Sequence, residues 1–192
     1  MSTAQPIRSN DELNLFKEFY LNNRPNVRNY ALICIGLNSA LRISDVLQLR
    51  WEDVYDFENE HFLKHIIIIE KKTNKETRIA INDNIKQGLG MYMESLYNIR
   101  KCDYIFNGQK KGKPLSRSQA FRIIKKAANE LHMESGISCH SMRKTFGYYA
   151  WKCGTPPAIL MDIYNHSSYE ITRRYLGIKP VSYTHLTLPT KA

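Results

Sequence analysis

The chain has little of what marks several functional classes. It holds only four cysteines, Cys34, Cys102, Cys139 and Cys153. No two stand at a Cys-x-x-Cys spacing, so no close ligand pair exists to nucleate a zinc site, and reduced thiols are the expected state. Long apolar runs are missing. The longest, such as Ala31–Leu37 and Ile66–Ile69, are far too short to span a bilayer, and no membrane partner is expected. The start does not read as a secretory signal, so the sequon Asn165-His166-Ser167 carries no meaning and a cytoplasmic protein is expected. Internal repeats and low-complexity tracts are absent. Negative charge is in deficit as well: 18 Asp and Glu face 28 Lys and Arg, a net charge of +10. That excess favours a polyanionic partner through long-range attraction and counterion release, although a plain solubility charge gives the same total.

What is present suits one globular domain. The 192 residues are 43% hydrophobic, enough for a real core. Residues 1–9 read as a flexible lead-in. Ser9-Asn10-Asp11-Glu12 forms a capping-box pattern opening a helix with Leu13, Phe16 and Tyr20 on its apolar face. A second helix is expected from about Val27 to Ser39, burying Tyr30, Ala31, Cys34 and Leu37. Ser44-Asp45 should cap a short helix holding Val46, Leu47 and Leu49, which places Arg42 in the tight turn between two helices. The period then changes. Phe62–Glu70 and Glu76–Ile81 read as antiparallel strands around a polar turn, Lys71–Lys75. Asn82 or Asp83 caps a helix to about Ile99, Tyr104–Phe106 is extended, and Asn107–Pro114 is a loop. Ser116 opens a basic helix with Phe121, Ile124, Ala128 and Leu131 inward. One helix runs from near Ser138 to Gly154. The next opens at Thr155-Pro156, and a last one, opened by Ser167 and Glu170, carries Thr172–Tyr175 and stops at Gly177. The fold class is α+β, mainly helical, with a small antiparallel hairpin. Residues 179–192 have no helical period and read as a flexible or non-native tail.

Six residues spread along this frame could act together on one ligand: Arg42, Lys72, His140, Arg143, His166 and Tyr175. In His140-Ser141-Met142-Arg143, positions three apart share a helix face, so His140 and Arg143 can reach the same group. Taken singly, each has a plain structural reading: a surface charge, a solvated turn, a core tyrosine. Arg42, set among apolar neighbours, needs an anionic partner such as Asp45 or Glu52, or a route to solvent. Basic residues of the hairpin, the 107–114 loop and the helices (Lys71, Lys75, Lys110, Lys111, Lys113, Arg117, Arg122, Lys144 and Arg173) are candidate phosphate-backbone contacts, or equally a solvated face.

Order and context set these residues apart. An arginine in a helix turn, a lysine in a hairpin, His-x-x-Arg at a helix start, then Asn-His-Ser-Ser and a tyrosine nine residues after that histidine together resemble the tyrosine recombinase (phage-type integrase) family. Ala40–Trp51 resembles its first arginine box, Glu70–Lys75 its strand-turn lysine element, His140–Lys144 its second box and Tyr164–Gly177 its third. Met142 stands where many members have leucine, Asn165 where glycine is commoner before the histidine, and Asn74 at the usual glycine of the hairpin. The likeness covers residues 10–178 and is that of a catalytic domain without an amino-terminal clamp domain.

That resemblance implies the catalytic-domain fold of the family and a site-specific recombinase acting on double-stranded DNA, as a tetramer on two sites, near the nucleoid. Tyr175 would attack the scissile phosphate and leave a 3′-phosphotyrosyl link. His140 would accept the phenol proton, Arg42 and Arg143 would hold the non-bridging oxygens, Lys72 would protonate the departing 5′-oxygen and His166 would donate to the phosphate. No metal and no cofactor is implied. A type IB topoisomerase shares this chemistry, and an inactive DNA-binding regulator could share the fold.

Overall fold

The computed structural model describes residues 4–69, 76–108, 110, 112–133 and 136–178. Lys71, Lys72, Lys75 and Lys111, the strand end at Glu70 and the tail 179–192 lie outside the described residues.

Helix α1, Asn10–Asn22, begins where Ser9 accepts a hydrogen bond from the Glu12 N–H, and it buries Phe16, Phe19 and Tyr20. Helix α2, Val27–Asn38, is capped by the Asn26 side chain and is buried on nearly every side from Asn29 to Leu37. It is the central post of the molecule, with α1, α6 (Cys139–Lys152) and α4 (Asp83–Glu94) packed around it. A helix this apolar has no polar face to give to water. One core cluster joins α2 to Val46, Leu47, Trp51, Ile66, Ile85, Leu89 and Phe106. A second joins it to Phe16, Phe19, Ile124, Ile137 and Met142. Each buried Leu, Ile or Phe contributes about 1.5–3 kcal/mol. The ion pairs Arg24–Glu130 and Arg100–Asp103 are solvent-exposed on at least one partner, and such pairs are worth at most about 1 kcal/mol each. Apolar packing on α2 therefore holds the fold.

The short helix α3, Ile43–Val46, has Arg42 as its N-cap, with no side-chain cap bond. The cap expected at Ser44-Asp45 thus falls two or three residues earlier, because the backbone carbonyl of Arg42 already accepts from Asp45 and Val46. Strands β1 (Tyr55–Asp56) and β2 (His61–Phe62) form one small antiparallel pair. Strands β3 (His65–Ile69) and β4 (Glu76–Ala80) form another, with Ile66 opposite Ile79. Phe62 therefore belongs to a separate sheet from the isoleucine strand. Helix α4 is capped by Asn82 and stops at Glu94, short of Ile99.

Helix α5, Arg117–Glu130, has a full capping box between Ser116 and Gln119. Its buried face is Ala120, Ile124, Ala127 and Ala128, and Phe121 is 45% exposed rather than inward. Small alanines let α5 lie close to its neighbours, so the apolar stripe sits one position from the bulkiest residue. Helix α7, Pro157–Tyr164, takes Pro156 as N-cap and Pro157 as its first residue, one step beyond the expected start. Helix α8, Tyr169–Leu176, is capped by Ser168, not Ser167, and ends on Gly177 at φ 67°. That left-handed conformation suits glycine. Residues 4–8 are no loose lead-in: Ala4 and Ile7 are buried.

Candidate active site

Four elements deliver the site. The turn after α2 presents Arg42, and the first turns of α6 present His140 and Arg143. The turn after α7 presents His166, and α8 presents Tyr175. Arg42 and His140 are exposed, Arg143 is buried, and His166 and Tyr175 are half-buried.

Tyr164 is the hub that fixes the others. Its hydroxyl donates to the Arg143 carbonyl at 2.8 Å, inside a small apolar cluster with Leu160 and Leu176. The Arg143 guanidinium lies 4.9 Å from the Tyr164 ring centroid. His166 stacks on the same ring at 5.6 Å, and the Tyr175 ring lies 5.2 Å from it. His166 and Tyr175 then meet edge to face at 5.3 Å. Burial pushes the Tyr164 phenol far above its ordinary value, so it stays neutral. Gly147 makes this approach possible, since a side-chain carbon there would collide with the Tyr164 hydroxyl and Leu176.

Burial raises the Tyr175 pKa, while the Arg143 guanidinium, by charge and hydrogen bonding, and Arg42 pull it back. Arg143 itself is lowered, first by dehydration and then by Arg42, against the opposing pull of Tyr175, Tyr164 and Asp45. A buried guanidinium facing mainly phenols is costly to hold, and an anion drawn into the site would offset that cost. A 310 Å³ cleft opens beside it, lined by Arg42, Asp45, Arg143, Arg78, Phe146 and Ile163 among others.

The histidines sit in the same positive field. Dehydration, then Lys144, Arg143, Arg117 and Arg42, lower the His140 pKa. Dehydration, then Arg143 and Arg42, lower that of His166. Both are therefore neutral at pH 7, and His140 can take up a proton. His166 Nδ1 is 3.1 Å from Thr172 Oγ1, whose hydroxyl donates to the Ser168 carbonyl at 3.4 Å. His166 is thus engaged at Nδ1, which leaves Nε2 for a ligand.

The two depressed values give a pH prediction. The unfolded chain binds protons at these histidines below about pH 6.5, where the folded state resists them. Stability without DNA should fall as pH drops from there through the folded-state values, read as a falling Tm. In a His140→Gln, His166→Gln double variant that slope should flatten; an unchanged slope refutes the linkage.

Asn165 shows why the departure from glycine is tolerated. It adopts φ 54° at the end of α7, a left-handed conformation open to asparagine. The structure gathers Arg42, Arg143, His166 and Tyr175 into one electrostatic unit, with His140 coupled to both arginines. Lys72 lies outside the described residues. Of the proposed backbone contacts, Lys110, Lys113, Arg117 and Arg122 are exposed and Arg173 is half-buried. Lys144 needs correcting: it is 6% exposed and donates from Nζ to the Ala4 carbonyl at 2.7 Å, so it does not face a ligand at the surface. Sequence reasoning did not single out Tyr164 or the role of Thr172. The signal available for both was only their place in the third box.

The family model for the phage integrase family matches residues 8–180. The chain belongs to the phage integrase family. A probable integrase/recombinase, YoeC of Bacillus subtilis, is 39% identical over 178 residues, covering 93% of this chain and 92% of YoeC. A tyrosine recombinase of Agathobacter rectalis is 29% identical over 154 residues, covering 79% of this chain and 48% of that protein. This chain thus spans about half the length of that relative. Among solved structures, the Tn1549 transposon integrase in complex with circular intermediate DNA superposes with a TM-score of 0.68 at 21% identity, covering 95% of this chain and 63% of that one. The fold is that of tyrosine recombinase catalytic domains, and the chain is a tyrosine recombinase-type enzyme. Among the described residues no helix is long and apolar enough to cross a membrane.

Proposed function

We propose that this integrase-family chain cleaves and rejoins double-stranded DNA at specific sites through a 3′-phosphotyrosyl intermediate. The observation that carries the reading is the Tyr175 phenol held against a buried Arg143 within the field of Arg42. The phenol attacks the phosphorus, its proton passes to neutral His140, and the 5′-oxygen leaves as a hydroxyl. Arg42 and Arg143 bind the non-bridging oxygens and gain strength as charge builds on them. Lys72, by its place in the family's lysine element, supplies the leaving-group proton. His166, anchored by Thr172, donates from Nε2 once the phosphate's charge favours its protonated form. The bond energy is kept in the phosphotyrosine, so religation needs no nucleotide.

Arg117, Arg122, Lys110, Lys113 and Arg173 are proposed to contact the phosphate backbone beside the cut, together with Lys71, Lys75 and Lys111. Double-stranded DNA is the proposed partner, in keeping with the DNA complex of the Tn1549 integrase. Self-association on two DNA sites and a cytoplasmic, nucleoid-associated setting complete the proposal. A nicked suicide substrate tests it. The chain should form a denaturant-resistant adduct on the 3′-phosphate of a strand cut just 5′ of the nick, the short 5′-hydroxyl fragment diffusing away, and should do so in EDTA; strict dependence on a divalent metal would overturn this reading.

A further inference from the structure

Residues 4–8 lie as a strap across the back of the site. The Ile7 N–H donates to Thr145 Oγ1 at 2.9 Å, and the Tyr149 hydroxyl lies 3.1 Å from the Arg8 carbonyl and 2.8 Å from Asn10 Oδ1. Lys144 Nζ donates to the Ala4 carbonyl at 2.7 Å. All three side chains are on α6, the helix that bears His140 and Arg143. The strap also reaches the nucleophile helix: the Arg8 guanidinium donates to the Gly177 carbonyl at 3.0 Å, at the end of α8. Lys144 closes the loop between them, because its ammonium lies 5.0 Å from the Tyr175 ring centroid while bound to the strap.

Each link has a physical reason. Helix α8 has only eight residues, too few to be stable without outside contacts. Its final carbonyls need donors, and a cation at a helix C-terminus is favourable. Arg8 supplies both. Lys144 is buried, and a methionine could fill its volume without the cost of a dehydrated charge. What the ammonium adds over methionine is a hydrogen bond to the strap and a cation against the face of the Tyr175 ring. Dehydration and nearby Arg8 lower its pKa, consistent with a tightly enclosed group.

We propose that the strap 4–8 is a positioning element for the nucleophile, with Lys144 the positioning residue beneath the Tyr175 ring and Arg8 the clasp on the end of α8. The proposal rests on Tyr175 being the nucleophile. It places Lys144 in the machinery as a support for the phenol rather than as a DNA contact. A phenol displaced by about 1 Å loses rate steeply, on the order of a hundredfold, without a matching loss of DNA affinity.

The full chain is compared with Arg8→Ala, Lys144→Met and Lys144→Arg. Hydrogen exchange without DNA is read first. Amides of α8 should exchange about tenfold faster in Arg8→Ala and Lys144→Met, while those of α2 stay protected. Single-turnover adduct formation on a suicide substrate is read next. At saturating DNA both variants should be slower by about tenfold or more, with Kd within about twofold, and Lys144→Arg should recover most of the rate. Unchanged α8 exchange in Arg8→Ala overturns the proposal. So does a rate at saturating DNA within about twofold of wild type in both variants, or a loss confined to Kd. Should Lys144→Met not fold, Arg8→Ala, altered at an exposed side chain, carries the same decisions. A wild type that forms no adduct would refute the nucleophile assignment, while the exchange data would still decide whether the strap holds α8.

Discussion

Tyr175→Phe is expected to abolish the covalent DNA adduct, a loss on the order of 10⁴-fold or more, because the Tyr175 phenol oxygen is the atom proposed to carry the phosphoryl link. The substitution is a clean one. The ring keeps its contacts with Tyr164 at 5.2 Å, His166 at 5.3 Å and Lys144 at 5.0 Å, so α8 should stay docked. Only the hydroxyl is removed, and with it one hydrogen bond to Arg143, a loss of about 1 kcal/mol set against the release of a dehydrated polar group. Circular dichroism and Tm should therefore match wild type, and DNA affinity should remain within about twofold, since phosphate charge rather than the phenol dominates binding. An adduct formed by the variant, mapped to another residue, would remove Tyr175 from its role.

Arg143→Ala should lower the cleavage rate by on the order of 3 kcal/mol, about a hundredfold, by analogy with the loss of one preorganised oxyanion donor. Arg143→Lys should recover only part of it, because a point charge replaces a fork that matches two phosphate oxygens. The same substitution separates binding from stability. Arg143 is buried, and dehydration is the largest influence on it. Removing the charge relieves that burden, so Tm without DNA should not fall in proportion to the rate. The cavity left beside Tyr164 works in the other direction but is small beside the catalytic effect. Single-turnover rates at saturating DNA, set against Tm, decide the matter. A variant that cleaves within about tenfold of wild type would show that Arg143 serves the fold and not the reaction.

Much of the molecule was legible from local chemistry. Side-chain caps at Ser9 and Ser116 stood where the sequence placed them, and of the candidates Asn82 and Asp83 it is Asn82 that caps α4, because a cap is a bond between residues three apart. The isoleucine hairpin followed from a run of β-branched residues in its first strand and from alternation in its second. The misplaced details have a common cause, competition from tertiary packing. Phe121 was expected inward, yet α5 docks through Ala120, Ile124, Ala127 and Ala128. The α3 cap moved to Arg42 because its carbonyl accepts from the Asp45 and Val46 N–H groups.

Lys144 is the sharpest case. Beside Arg143 in a basic box it reads as a phosphate contact, since charge and neighbourhood are all a sequence displays. Its burial under the strap depends on Ala4 folding back over a residue 140 positions away.

By itself, the order of boxes from Arg42 to Tyr175 pointed to the family and to the chemistry proposed for it, since residue type and spacing along a helix or turn are local properties. Only the tertiary structure decided how those groups are supported. It set Tyr164 between Arg143, His166 and Tyr175, it buried one arginine while leaving the other exposed, and it tied residues 4–8 to the end of α8. These are contacts between distant segments, and their energies come from shared burial, which no local stretch of sequence contains.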